Sequence, residues 1–344
     1  MRARALACLA VCAALWLWWR SGSQSAPSIV SLDLGGEVMG TKWHLRCVAA
    51  GSREAALRVA VQAALDDVDR RFSTYRSDSL ISRFNAHRST EPFAVDADFV
   101  ALLALGLELA AATEGAFDPT IFPVVRLLGF AGGTRSEPTP AAMAEALASV
   151  GWRKVEVLAE QRVAKSDPRV EIDLSAIAKG HAVDRGSQAL AALGVVDHML
   201  EVGGEVVCRG SRPDGGPWRI GVERPDPDAA TGGGPIHRVV VLADRALATS
   251  GSYRNYFDSG GRRRHHIVDA RSGQNVETRV VSASVIAADC ALADGLATAL
   301  MLVGPEGAQG LRTRWPNRVG GVLFLLAEPS GGISEFALDW PNDG

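Results

Sequence analysis

Two oxygen-bearing side chains, Asp294 and Thr298, break the otherwise apolar run AADCALADGLATALML (287–302), with Asp289 the third polar position. A helix through this run places residues four apart on one face, about a turn from each other. A carboxylate and a hydroxyl on a buried face form a hard-oxygen pair of the kind Mg²⁺ accepts, leaving the rest of its octahedron to water and phosphate. The plain alternative is that Asp294 caps a neighbouring element while Thr298 bonds back to a helix carbonyl. In VEIDLSAIAKGHAVDRGSQAL (170–190), a strand ending at Asp173-Leu174-Ser175 leads into a helix start carrying Lys179, Gly180, His181 and Asp184. Unpaired N–H groups and the dipole favour an anion at such a start, and Ser175 and Lys179 would add a hydroxyl and a charge. An N-cap Ser175 and a solvated Lys179 are the alternative.

The stretch 246–273 holds a polar run, Thr249 to Ser252, after an apolar strand, and then His265-His266 followed by Ile267-Val268-Asp269. Alternation along a strand would turn one histidine inward, where it could act as a base or hold a phosphate; a satisfied core histidine is the alternative. Met39-Gly40-Thr41 in the first strand and Gly115-Ala116-Phe117-Asp118-Pro119-Thr120 complete the set. A strand glycine suggests close approach of another backbone or a ligand.

These groups need a scaffold. GEVMGTKWHLRCVA (36–49) reads as a strand, and residues 52–72 carry apolar positions at 57, 61, 65, 68 and 72, one face of a helix. Helical patterns recur at 96–113, 138–150, 175–193, 288–303 and 305–313. Strand patterns fall at 153–158, 170–174, 198–208, 218–223, 236–242, 264–268, 279–287 and 320–327. Several strands follow one another without a helix between them, so the chain reads as α/β (α+β) with mixed or largely antiparallel sheets and packed helices in a single globular unit. Gly- and Pro-rich loops at 131–140, 210–217 and 224–235 are too short to mark an interdomain linker.

The 344 residues carry 36 basic and 39 acidic side chains, a formal net charge of −3. That balance excludes a general nucleic-acid backbone binder. A basic MRAR start precedes ALACLAVCAALWLWW (5–19), and Arg20 and a polar SGSQS follow. Fifteen apolar residues suit a signal-peptide core better than a membrane span of about 20, while Trp16, Trp18 and Trp19 also suit an interfacial anchor. The expected organisation is therefore a leader or anchor over 1–26 and an exported domain over 27–344, on the periplasmic side of a bacterial inner membrane. Cys47, Cys208 and Cys290 are odd in number and widely spaced, which argues against a disulfide framework and a zinc site. Phosphate-loop, dinucleotide-fingerprint, zincin and nucleophile-elbow motifs are absent.

In order along the chain, MGTKWHL (39–45), STYRSDSLISRFN (73–85), GAFDPTIFPVVRLLGF (115–130), IDLSAIAKGHAVD (172–184), EVGGE (201–205), ATSGSYRNYF (248–257), HHIVDARSG (265–273) and ADGLATALMLVG (293–304) closely resemble the ApbE family, the FAD:protein FMN transferases. The resemblance runs from about residue 36 to 327 and implies an ApbE-like, T-fold-related architecture. It implies an Mg²⁺-dependent enzyme with FAD as substrate, which cleaves the pyrophosphate, joins FMN to a Thr or Ser hydroxyl of an exported or membrane-bound flavoprotein acceptor, and releases AMP. It implies Asp294, Thr298 and the Ala178 carbonyl as metal ligands. Met39, Ala116, Phe117, Asp118, Ser175, His181 and Ile267 then correspond to positions around FAD. Asp118 would hold a polar flavin or ribityl group, Lys179 and the Thr249–Ser252 run would line the diphosphate path, and His266 would help deprotonate the acceptor hydroxyl.

Two departures stand out. Asp269-Ala270-Arg271-Ser272-Gly273 lacks the proline usual in that family turn, and Glu205 stands where many relatives have Asn. Two further readings use the same pocket: a pyrophosphatase releasing free FMN and AMP, and a non-catalytic FAD-binding assembly protein.

Overall fold

The computed structural model describes residues 29–225, 234–253, 255–259 and 261–341. The leader or anchor expected over 1–26 lies outside the described residues. Fifteen strands are described: β1 (Ile29–Val38), β2 (Thr41–Ala50), β3 (Phe93–Ala94), β4 (Val155–Leu158), β5 (Arg162–Lys165), β6 (His198–Val202), β7 (Glu205–Arg209), β8 (Trp218–Glu223), β9 (Ile236–Leu242), β10 (Ala246–Gly251), β11 (Tyr256–Ser259), β12 (Arg262–His265), β13 (Val280–Ala287), β14 (Val319–Ala327) and β15 (Ile333–Leu338). The α-helices are α1 (Glu54–Phe72), α2 (Leu80–Ala86), α3 (Ala97–Ala112), α4 (Phe122–Leu127), α5 (Pro140–Ser149), α6 (Ser175–Ala192) and α7 (Cys290–Arg314).

One eight-stranded sheet, ordered β1-β2-β6-β7-β10-β13-β14-β15, forms the frame. Its pairings are antiparallel. The α1 positions read from spacing, Leu57, Val61, Leu65, Val68 and Phe72, are all buried. They share a core with α3, α6, α7 and one sheet face. On the other face, Val206, Cys208, Leu247 and Ile286 pack under Trp218, Val222, Val240 and Leu242 of the β8–β9 ribbon. Strand β10 therefore has two environments: Ala246 and Ala248 face the helices, and Leu247 faces the ribbon. Cys47, Cys208 and Cys290 are free and buried. No helix among the described residues is long and apolar enough to cross a membrane.

Several local expectations need correction. Residues 36–49 are not one strand: β1 and β2 meet at a two-residue turn in which Met39 (φ 51°) and Gly40 (φ 70°) both take positive φ, the conformation of a tight hairpin. A Cβ on Gly40 would meet nothing within 4 Å, so the turn, not close approach, requires glycine there. The close approach falls at Gly36, where a Cβ would lie 2.5 Å from Trp43 Nε1. Likewise 198–208 divides into β6 and β7 at Gly203-Gly204. Residues 170–174 form no ladder; Asn85 bonds both the N–H and the carbonyl of Ile172, and the Asp173 N–H donates to the Pro119 carbonyl. The two helices read at 288–303 and 305–313 are borne out: α7 breaks at Gly304, whose φ of 68° and ψ of −174° are not helical, and resumes at Pro305.

Candidate functional site

Helices α6 and α7 pack closely against each other, and glycines permit it. A Cβ on Gly180 would lie 2.3 Å from the Cys290 carbonyl oxygen, and one on Gly295 would lie 2.6 Å from Ile177 Cγ2 of α6. The crossing is locked from both sides. Asp184 of α6 accepts the free N–H groups of Cys290 and Ala291 at the start of α7 (2.9 Å each), where partial positive charge favours a carboxylate. In return Asp294 of α7, 3% exposed, accepts the Gly180 N–H at 2.9 Å. Ala178 is buried in that same turn of α6. One helical turn beyond Asp294, Thr298 Oγ1 shares a 2.9 Å hydrogen bond with Ser250 Oγ of β10.

Lys179 and Glu205 complete the junction. Lys179 Nζ lies 2.5 Å from Glu205 Oε1. Burial opposes the lysine charge, but Glu205 and Asp294 override it, so its pKa is raised and it remains an ammonium. Burial pushes Asp294 up to about 7 against the pull of Lys179, with Glu205 adding to the rise. Two carboxylates thus face one ammonium in a low-dielectric setting.

A second wall is built from 115–120 and 266–271. Ala116 and Phe117 are buried, and the Ala116 carbonyl accepts the Ala270 N–H at 3.1 Å. Asp118 Oδ1 accepts from Thr120 N and Oγ1 (2.8 and 2.7 Å), and Oδ2 accepts from Trp152 N (2.7 Å). Burial raises its pKa against these bonds. In this state Asp118 holds its own loop. Ile267 is buried, with its carbonyl bonded to Asn275 Nδ2. Strand β12 ends at His265, so His266 is not an alternating strand position as the sequence suggested. His266 is exposed at one edge and packs against Phe130 with centroids 6.4 Å apart. The surrounding protein, and after it Lys179 and Arg135, lower its pKa against the bond to the Asn255 carbonyl, which raises it. The ring is therefore neutral at pH 7, and an Nδ1–H donating to the Asn255 carbonyl (3.2 Å) leaves Nε2 as an acceptor.

The structure brings Ala178, Lys179, Asp294 and Thr298 together. Three sequence candidates make no contact with that pair of helices' polar groups. His181 packs edge-on to Phe72 (5.7 Å) and 4.0 Å from Asp98, and burial lowers its pKa. Ser175 is exposed at the first turn of α6, its N–H donating to Asp173 Oδ1; Leu174 holds the N-cap position. Met39 lies with Gly40, Gly203, Gly204 and Thr249 around a cleft of about 970 Å³ on the ribbon side of the sheet. That cleft does not contain Asp294; it reaches the junction through β10, where Thr249 lines the cleft and the next residue, Ser250, bonds Thr298, and through Gly204, which precedes Glu205. Two participants escaped sequence reasoning. Ser250 was seen only as part of a polar run, and Glu205 only as a departure, because their partners come from distant segments. Tyr75, 75% exposed with its hydroxyl donating to the Phe130 carbonyl, also stands beside the second wall without having been singled out.

Does this junction suit Mg²⁺? A buried carboxylate whose charge is disfavoured by its surroundings, next to a hydroxyl, is a hard-oxygen donor set that a small divalent cation would satisfy. The residues fit.

A model of the ApbE family matches residues 39–321. The chain is 35% identical over 310 residues to the FAD:protein FMN transferase of Vibrio cholerae, spanning 89% of this chain and 90% of that one. Among solved structures, the flavin transferase ApbE from Vibrio cholerae aligns with a TM-score of 0.79 at 33% identity, covering 90% of this chain and 97% of that chain. The apo form of the flavinyl transferase ApbE from Pseudomonas stutzeri aligns at 0.78 and 34% identity, covering 90% and 95%.

Proposed function

The chain belongs to the ApbE family, and from that premise we propose that it is an FAD:protein FMN transferase that works outside the cytoplasm with Mg²⁺. The observation that carries the reading is the α6–α7 junction, where Asp294, Thr298 and Lys179 converge on a buried, glycine-permitted crossing. Phosphoryl transfer asks a protein mainly for positioning and charge stabilisation, and this junction offers both.

The reaction joins an acceptor Thr or Ser hydroxyl oxygen to the FMN phosphorus, breaks the bond from that phosphorus to the AMP oxygen, and releases AMP. Asp294, Thr298 and the Ala178 carbonyl would hold Mg²⁺, which when bound supplies Lewis-acid neutralisation of the pyrophosphate. Lys179 presents its ammonium to the diphosphate. His266 Nε2 takes the acceptor proton, a role its neutral state permits. Ala116, Phe117, Asp118 and Ile267 form the wall against the flavin half. Met39, Ser175 and His181, which lie away from the junction, are assigned contacts with FAD farther from the reacting phosphorus. The MRAR start and the apolar run at 5–19 support export, which sets the acceptor as an exported or membrane-bound flavoprotein.

The test is AMP release from FAD by the full chain with an acceptor flavoprotein and Mg²⁺. AMP should appear with metal and stop on chelation. Metal-independent release would overturn the assignment of Asp294 and Thr298.

A further inference from the structure

We propose that Glu205 is a positioning residue for flavin transfer: its carboxylate fixes the Lys179 ammonium at the α6–α7 junction, where the FAD diphosphate would meet it. The inference rests on the transfer reading above. Glu205 opens β7 directly after Gly203 and Gly204, whose positive φ values (63° and 110°) set the turn, and it is 2% exposed. Its Oε1 lies 2.5 Å from Lys179 Nζ, while the lysine side chain stays 35% exposed. Oε2 is buried without a hydrogen-bond partner among the described residues. The acid is thus inside, and its cation looks outward.

Stability does not account for this arrangement. A buried oxygen left without a partner destabilises the fold, and an apolar pair of similar volume often folds as well as or better than a buried ion pair. Orientation does account for it. The lysine stem has many rotamers, so an ammonium fixed beforehand costs less to engage than a free one. The next residue, Gly180, is also held, through its N–H bond to Asp294. Glu205 offsets the charge of Lys179 locally, so what it adds to the ammonium is a fixed position and not extra positive field.

The test compares Glu205→Gln, Lys179→Met and the double variant in the full chain with Mg²⁺. FAD Kd is read from flavin fluorescence and kcat from AMP release with acceptor present. Glu205→Gln should lower kcat about 10- to 100-fold, the cost of a misplaced group, with FAD Kd nearly unchanged, because losing the pre-fixed ammonium weakens binding while losing a repelling carboxylate strengthens it. In the Lys179→Met background the same change should add little further loss, since partners in one interaction are not additive. Should Glu205→Gln fail to fold, Lys179→Met/Glu205→Met, an apolar pair, gives the same comparison with Lys179→Met. Multiplicative losses, unchanged kcat in Glu205→Gln, or Kd and kcat worsening together with a lowered Tm would each overturn the proposal. Failure of the transfer reading looks different: the wild-type chain itself would release no AMP and label no acceptor.

Discussion

Asp294 and His198 show how burial sets what a single titratable side chain does here. Asp294 sits at a junction whose donors suit a cation, so Asp294→Asn should keep the fold while lowering AMP release more than about 100-fold, beyond the roughly 10–100-fold typical of outer-shell metal partners. Metal titration of both proteins checks it; equal metal dependence would contradict it. His198 is 1% exposed, 2.8 Å from Ser187 Oγ, and burial lowers its pKa to about 4. Its folded pKa lies below the unfolded value of about 6.5, so the stability it allows is full above that value and falls as pH drops toward 4. The loss should be on the order of 3 kcal/mol. Chemical denaturation of His198→Gln and wild type at pH 7 and pH 4.5 should show a smaller acid loss in the variant. At this scale Asp294 and Thr298 were legible because both lie on one helix, four residues apart. Glu205 was not, because Lys179 reaches it only after α6 packs against β7.

Among the elements, the α6–α7 crossing carries the site, and two glycines set its depth. Gly180→Ala forces a Cβ against the Cys290 carbonyl, a backbone atom that cannot swing aside. It should cost about 1–3 kcal/mol of stability, the range for overpacking, and should also lower transfer activity by moving Asp294 relative to Ala178. Thermal denaturation together with AMP release checks both halves; an active, unaltered variant would contradict the role given to the crossing. Asp184 belongs to the same device. Its sequence position beside Lys179 and His181 suggested site chemistry, yet its carboxylate serves the first turn of α7, and Asp184→Ala should lower stability by about 1–3 kcal/mol. Helix faces were readable from periodicity. The turns at Met39-Gly40 and Gly203-Gly204 were hidden within apolar runs, and residues 170–174 had strand composition but found side-chain and loop partners in place of a neighbouring strand.

Over the whole molecule, one antiparallel sheet separates a helix-packed face, which holds the junction, from a ribbon-covered face with the large cleft. The order of motifs in the sequence anticipated this architecture, while the two-faced use of β10 needed the packed structure. The mildly acidic composition has a physical reading under the proposed function: FAD would be held by a cation, Lys179 and local N–H donors instead of bulk charge. Removing residues 1–26 should leave FAD cleavage in solution intact while shifting the protein out of the exported or membrane fraction, as cell fractionation would show. The most direct measurement is intact-mass analysis of an acceptor flavoprotein after incubation with the full chain, FAD and Mg²⁺, with AMP quantified in the same sample. Transfer requires one FMN phosphoester on a Thr or Ser for each AMP released, and neither product with Asp294→Asn. AMP accompanied by free FMN and an unmodified acceptor would contradict it.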